Sequence, residues 1–336
     1  MSSAERVWLI TGCSAGFGRR LVYSALARGD KVIATARSLS KIEDLSENPF
    51  VEDKADNLRL LALDVTAGFA VIKEILDKAN KIWGRIDVLV NNAGYGVPAT
   101  IEEGGELARI RPRRLLSMVI HRCPFLPICE ADANYPTALT ETLTFELAQF
   151  NIKVLLVAPG AFKTEGAYNY PWDNPNPLPA YDNIRTASLE KLGSIRDAIK
   201  GDPQKAMEVV VDVVRGEGVA KGREWPTYLI LGEDAEVDIR NKIGKIAKAL
   251  DDWQDVIRSE YPSFPVWVER RNPARGLIGR QPITFLRTTI SALTELSPGF
   301  FRFASCNRTA MDVHSIITID LVCYLLVLAF LCLNKA

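Results

Sequence analysis

The sequence predicts an α/β fold, a doubly wound parallel sheet in a single domain with a C-terminal extension. Short apolar strands alternate with helical stretches from Val7 to about Gly94. The pattern is that of a parallel sheet covered by helices on both faces. The first strand also closes in a glycine-rich turn, TGCSAGFG, from which a helix departs.

The elements follow in order. Val7 to Ile10 is the first strand, and RRLVYSALARG behind the turn has Leu21, Val22, Ala25 and Leu26 at helical spacing. KVIAT at 31–35 and LRLLALDV at 58–65 are the next strands. A helix from about Phe69 to Ile82 carries Val71, Ile72, Ile75, Leu76 and Ala79 on one stripe, and RIDVLVNNAG at 85–94 supplies the fourth strand. The pattern then degrades. Residues 102–133 hold arginines 109, 111, 113, 114 and 122 and three prolines, with LLSMVI at 115–120 as the one candidate strand. Order returns with a helix from Thr140 to Phe150 and the strand IKVLLVAPG. Residues 161–190, rich in Pro, Asn, Tyr and Trp, have the composition of a loop over a pocket mouth. A helix from Pro203 to Val214, a strand in TYLILG at 227–232 and an amphipathic helix from about Asp234 to Ile257 complete the domain. Its boundary falls near Ser259, ahead of Pro262 and Pro265, so 1–259 is one domain and 260–336 an extension, which suits a length of 336 residues.

Charge excludes some functions. Lysine plus arginine and aspartate plus glutamate both number 41, so no overall field favours nucleic acid or an acidic partner. The six cysteines form no CxxC pair, and two histidines do not complete a common zinc set, so no metal site is expected. MSSAERVWLITG has no apolar run ahead of a small-residue cleavage site, and the expected setting is the cytoplasm, with free thiols.

In the turn, Gly12, Gly16 and Gly18 fall as G-x-x-x-G-x-G between strand and helix. Gly12 permits the tight turn, Gly16 lets backbone amides approach a pyrophosphate, and Gly18 lets helix and sheet pack closely, while the helix N-terminus draws the phosphates. This is a Rossmann-like arrangement. Where such folds hold the adenosine ribose, at the end of the second strand, the chain reads Thr35, Ala36, Arg37. An arginine with no carboxylate there points to a 2′-phosphate, and so to NADP(H) over NAD(H). Asp64, ending the third strand, is placed either to accept from adenine or to cap a helix.

Together TGCSAGFG, ATAR, LDVT, NNAG and APGAFKT resemble the short-chain dehydrogenase/reductase family, over about two-thirds of the chain. FELAQFNIKVLLVAPGAFKT and GDPQKAM are similar to its retinol- and steroid-dehydrogenase-like members. The resemblance implies cofactor roles residue by residue. Ile10, Thr11, Gly12, Ser14, Gly16, Phe17 and Gly18 match the phosphate turn. Asn91, Asn92, Ala93 and Gly94 match the motif lining the adenine side and stabilising the central strand. Pro159, Gly160, Phe162 and Thr164 match the turn that holds the nicotinamide ribose and carboxamide. It also implies an oxidoreductase interconverting a secondary alcohol and a ketone on a hydrophobic small molecule, with Tyr168, Tyr170 and Trp172 in the substrate loop, and pairing of copies.

The family's proton relay is missing. The resemblance calls for a tyrosine, a lysine four residues on to lower the phenol pKa, and a serine from the preceding strand. Counting back from the TET helix puts the tyrosine near Cys129 and the lysine near Ala133. Tyr135 is followed four residues later by Leu139, no lysine lies between Lys81 and Lys153, and Ser117 is the one serine between Ser46 and Ser188. Tyr181 with Arg185 is the nearest imitation. No catalytic residue is assigned. The interval 97–139 reads as shortened, by an altered exon boundary or by loss of the reaction centre, and the second reading is a nucleotide-binding pseudoenzyme.

Residues 316–333 form an apolar tail at the short end of a membrane span. Seven arginines against three acids at 261–314 would keep the upstream side cytosolic, while Asp320 opposes insertion. An apolar helix docked on the protein or on a second copy also fits.

Overall fold

The computed structural model describes residues 5–49, 51–94, 100, 102–103, 130–165 and 176–259, with the backbone alone at 52 and 130–138. The described residues divide into two compact units, one running to Lys245 and the other starting at Ile246. The sheets, the core and the candidate site lie in the first.

Strands β1 (Val7–Ile10), β2 (Lys31–Ala36), β3 (Leu58–Ala62) and β4 (Val88–Val90) form a parallel sheet in the order β3-β2-β1-β4. Between them run α1 (Gly16–Ala27) and α2 (Phe69–Trp83). Then come α3 (Glu130–Leu147), β5 (Leu156–Pro159), α4 (Asp182–Ala198), α5 (Pro203–Arg215), β6 (Tyr228–Leu231), α6 (Glu233–Asp252) and α7 (Gln254–Ser259). Strands β5 and β6 pair in parallel as a second, two-stranded sheet.

The alternation of side chains along β1 and β2 builds both layers. Trp8, Ile10, Val32 and Ala34 pack on one face against Leu21, Val22 and Ala25 of α1 and Met207, Val210 and Val211 of α5. Val7, Leu9 and Ile33 pack on the other against Ile72, Leu76 and Ala79 of α2. Each such aliphatic side chain, removed from water, contributes about 1.5–3 kcal/mol before entropy is counted, which is why helices cover both faces and the sheet is doubly wound. Caps fix the helix ends: Asp202 accepts from the amides of Gln204 and Lys205 ahead of Pro203, and Gly84 and Gly216 close α2 and α5 at φ 75° and 66°. At the edge remote from the turn, buried Asp30 pairs with Arg215 and accepts from the Trp8 indole at 2.8 Å, tying the α1–β2 turn to the end of α5.

Several elements depart from the reading of the sequence. The third strand ends at Ala62 rather than Val65, because Asp64 turns the chain locally. Helix α3 begins at Glu130, ten residues before Thr140, so Tyr135 stands on a helix and not on a loop. Within 161–190, whose composition predicts a loop, residues 182–190 belong to α4 and Pro179–Tyr181 form a tight helical turn. The helix of 234–257 is interrupted at Trp253, although the Trp253 and Ile257 amides still reach four residues back. No ladder among the described residues joins β4 to β5. The strand expected at 115–120, Ser117, Cys129, and Tyr168, Tyr170 and Trp172 lie outside the described residues, as does the extension 260–336 with its apolar tail. Among the described residues no helix is long and apolar enough to cross a membrane, and no group of three or more His, Cys, Asp or Glu could hold a metal ion.

Candidate functional site

The site is built at the C-terminal ends of β1, β2, β4 and β5. Chain reversal after β1 needs Gly12 at φ 71°, and a Cβ there would stand 2.7 Å from the Ala93 Cα. A Cβ on Gly18 would stand 2.5 Å from the Gly12 carbonyl oxygen and closer still to the Asn92 amide. These two glycines therefore let the β1 and β4 ends press together. Gly16 is different: its φ is 63°, and the space a Cβ would enter is open. The residue before α1, Ala15, provides no side-chain cap, and the first turn of α1 holds no acidic residue, so its leading amides are left to a partner from elsewhere.

Asn92 and Thr11 sew the two strand ends. Asn92 Nδ2 donates to the carbonyl oxygens of Thr11 (2.8 Å) and Gly12 (3.1 Å); Thr11 Oγ1 donates to the Val90 carbonyl oxygen (3.0 Å) and accepts from the amides of Asn92 and Ala93. Asn92 is thus a framework residue. Asn91 Oδ1, in contrast, is buried with no hydrogen-bond partner among the described residues. Gly94 and Ser14 are exposed, and Ile10 is buried in the core.

The end of β2 is fastened to the turn by the Cys13 amide, which donates to the Thr35 carbonyl oxygen at 2.9 Å. Two residues on, Arg37 is exposed and makes no ion pair or hydrogen bond among the described residues. Asp64, two residues past the end of β3, accepts through Oδ1 from the Thr66 amide (2.9 Å) and hydroxyl (2.8 Å). It does not cap α2, whose N-cap is Gly68.

From the other sheet, Pro159–Gly160 brings Phe162 against Phe17, edge to face at 5.4 Å between centroids, which closes one wall of the site. Gly160 is clamped: its amide donates to the Leu231 carbonyl oxygen (2.6 Å), the Ala161 amide donates to Asp234, and any Cβ on Gly160 would collide with the Asp234 carboxylate. The Thr164 amide donates to the Phe162 carbonyl oxygen at 3.0 Å. Next along, the Glu165 carboxylate accepts from the Gly16 amide at 2.9 Å and from Arg20 at 2.6 Å. Burial pushes the Glu165 pKa up, but the Arg20 hydrogen bond and the Gly16 amide outweigh it and hold the pKa at about 2.

Sequence reasoning missed Asp234, Glu165 and Arg20. The acidic first turn of α6 was a signal for Asp234, but its partner Gly160 is 74 residues away by number; nothing local paired Glu165 with Gly16, 149 residues apart. The imitation relay is also settled by its partners. Tyr181 donates its hydroxyl proton to Glu102 (2.6 Å), which raises the phenol pKa, while Arg185 is engaged by Glu103 and Asp182. A proton donor to an alkoxide needs the opposite shift.

The set fits a dinucleotide: a helix N-terminus with no cap from its own N-cap residue, an open positive-φ glycine, an unpartnered arginine at the neighbouring strand end and an orphaned amide oxygen at Asn91. Residues 6–111 match the short chain dehydrogenase family. Over that stretch the chain resembles that family of oxidoreductases, and its fold is Rossmann-like. It is 28% identical over 280 residues to Oxidoreductase BOA17 of Botryotinia fuckeliana, covering 75% of this chain and 97% of that one. It is 28% identical over 256 residues to human Retinol dehydrogenase 8, covering 64% and 79%. The NADP-dependent 3-hydroxy acid dehydrogenase YdfG of Escherichia coli is 40% identical over 89 residues, 26% of this chain and 34% of the relative. Among solved structures, a short-chain dehydrogenase from Streptomyces avermitilis superposes with a TM-score of 0.62 at 28% identity, covering 77% of this chain and all of that one.

Proposed function

We propose that the chain binds NADP(H) and interconverts a secondary alcohol and a ketone on a hydrophobic small molecule, with 1–259 as the acting domain. One observation carries the cofactor: the phosphate turn and an exposed, unpartnered Arg37 stand on adjacent strand ends, held together through Cys13 and Thr35. The NADP dependence named for YdfG, whose similarity falls on an 89-residue stretch, supports the same choice.

When bound, the cofactor supplies the hydride. The chain's own part is to hold and orient. The amides from Gly12 to Gly18 take the pyrophosphate, with Ser14 at the rim and Ile10, Thr11 and Phe17 shaping the seat. Arg37 would hold the 2′-phosphate. Asp64 and Asn91 to Gly94 line the adenine side. Pro159, Gly160, Phe162 and Thr164 take the nicotinamide end, where the wall formed by Phe17 and Phe162 limits water.

A second reading is favoured by the occupied Tyr181 and by the lack of any Tyr-x-x-x-Lys in the chain: a protein that binds the nucleotide without turnover. NADPH fluorescence titration followed by a panel of hydrophobic ketones, with absorbance at the reduced-nicotinamide band, tests both. Binding with turnover is expected from the first reading, binding alone from the second, and failure of folded protein to bind any dinucleotide would reject both.

A further inference from the structure

We infer that Glu165 is an internal counter-anion that sits in the phosphate seat of the nucleotide turn and must leave before a dinucleotide can dock. The inference rests on the NADP(H) reading of that turn and concerns its regulation.

Gly16 is the one glycine of the turn with open space on its side-chain face, and its N–H points to the Glu165 carboxylate at 2.9 Å. Arg20, one helical turn further along α1, donates to the same oxygen at 2.6 Å and pairs with the other oxygen as well, while also reaching the Gly16 carbonyl oxygen at 3.2 Å. A backbone amide at a helix N-terminus together with a guanidinium is a seat for an oxyanion. Nothing local fills it, since Ala15 has no capping group and the first turn has no acid. The carboxylate comes instead from the segment after β5, 149 residues away, positioned by the contact of Phe162 with Phe17. It is half exposed, at 52%, and so is held by charge and hydrogen bonds rather than packing. A pyrophosphate takes the same donors with more charge, and on its arrival Arg20 exchanges a carboxylate for a phosphate.

The occupant therefore competes with the ligand and tunes its affinity through the free energy of the Glu165 contacts.

The test compares the full chain with Glu165→Gln, which keeps the shape and an acceptor oxygen but removes the charge. Dissociation constants are measured by calorimetry for NADPH and for adenosine 2′-monophosphate, which carries the 2′-phosphate but no pyrophosphate. Glu165→Gln is expected to bind NADPH about fivefold more tightly, the scale of one charge at a helix N-terminus, with the affinity for adenosine 2′-monophosphate unchanged. Equal or weaker NADPH binding by folded Glu165→Gln overturns the inference and leaves the cofactor reading standing. Equal tightening for both ligands overturns it too, since the competition would then not be for the pyrophosphate seat. If neither folded protein binds NADPH, both fall. Glu165→Asp, which draws the carboxylate back by one methylene, is read in the same way should the glutamine variant fail to fold.

Discussion

Asn92 holds the Thr11 carbonyl oxygen at 2.8 Å and so joins the end of the fourth strand to the phosphate turn after the first. The same amide reaches the Gly12 carbonyl oxygen at 3.1 Å, and the Asn92 backbone returns a hydrogen bond to Thr11 Oγ1 at 2.9 Å. Truncation to alanine leaves two part-buried carbonyl oxygens short of a donor. Asn92→Ala is expected to lower stability by about 1–3 kcal/mol, read as a lower urea midpoint at unchanged slope. NADPH binding should weaken in parallel, because the turn is no longer braced. A variant that matches the parent in both measurements would remove Asn92 from the framework.

Arg37 is read differently, because nothing in the fold depends on it. It is exposed, beyond the last residue of β2, and no partner among the described residues would be stranded by its loss. Arg37→Ala should leave thermal unfolding of the free protein unchanged, yet weaken NADPH binding by roughly ten- to a hundredfold, the worth of a charge-assisted pair. NADH binding should hardly move. The ratio of the two dissociation constants is the measurement. Equal losses for both nucleotides would show that the guanidinium does not meet the 2′-phosphate.

Acid should loosen the start of α4. Glu103 is fully buried and accepts from Arg185, from the Leu178 amide at 3.0 Å and from the Thr100 hydroxyl at 2.9 Å. The Arg185 hydrogen bond, helped by the Leu178 amide and opposed by burial, holds the Glu103 pKa at about 2, below the ordinary 4.5. A folded-state pKa below the unfolded one gives stability that is complete above the unfolded value and lost as pH falls through the folded one. Hydrogen exchange across 178–188 should therefore accelerate between about pH 4.5 and about pH 2, after correction for the intrinsic rate. Glu103→Gln should exchange faster at neutral pH and show no such step.

What could be read from the sequence follows the range of the interactions. Strands β1, β2 and β6 and helices α1, α2 and α5 were legible because each carries its own apolar period, and Asp202, Pro203 and Gly216 mark the ends of α5 locally. The phosphate turn was legible because its glycines are spaced by backbone geometry. The Asp234 clamp on Gly160, the Glu165 seat on Gly16 and the capture of Tyr181 by Glu102 were not, since each joins residues more than 70 positions apart through side chains that any surface could carry. The early start of α3 was hidden by Pro136, which reads as a helix boundary yet lies inside the helix. The sequence places Asp64 as an adenine acceptor or a helix cap, whereas its carboxylate closes a local turn with Thr66.

Cys13 offers a probe of the turn that needs no substrate. Its side chain is fully buried and its thiol donates to the Ile10 carbonyl oxygen at 3.2 Å. Burial, outweighing a hydrogen bond from the Thr35 backbone, pushes its pKa up to about 12. At pH 8 only about one thiol in ten thousand is then ionised, and the thiolate is the nucleophile. Alkylation in the folded protein is therefore expected only through opening of the β1–α1 turn. A ligand that binds the closed form alone slows such labelling in proportion to its saturation, by about a hundredfold at a concentration of 100 dissociation constants. Iodoacetamide labelling of Cys13, followed by peptide mass spectrometry to separate it from the other five cysteines, should thus be slow without nucleotide and slower with NADPH. Labelling at the rate of a free thiol would mean that the turn is open to solvent in the folded protein. Slow labelling indifferent to NADPH would mean that the nucleotide does not close over Cys13, and would count directly against the phosphate turn as its seat.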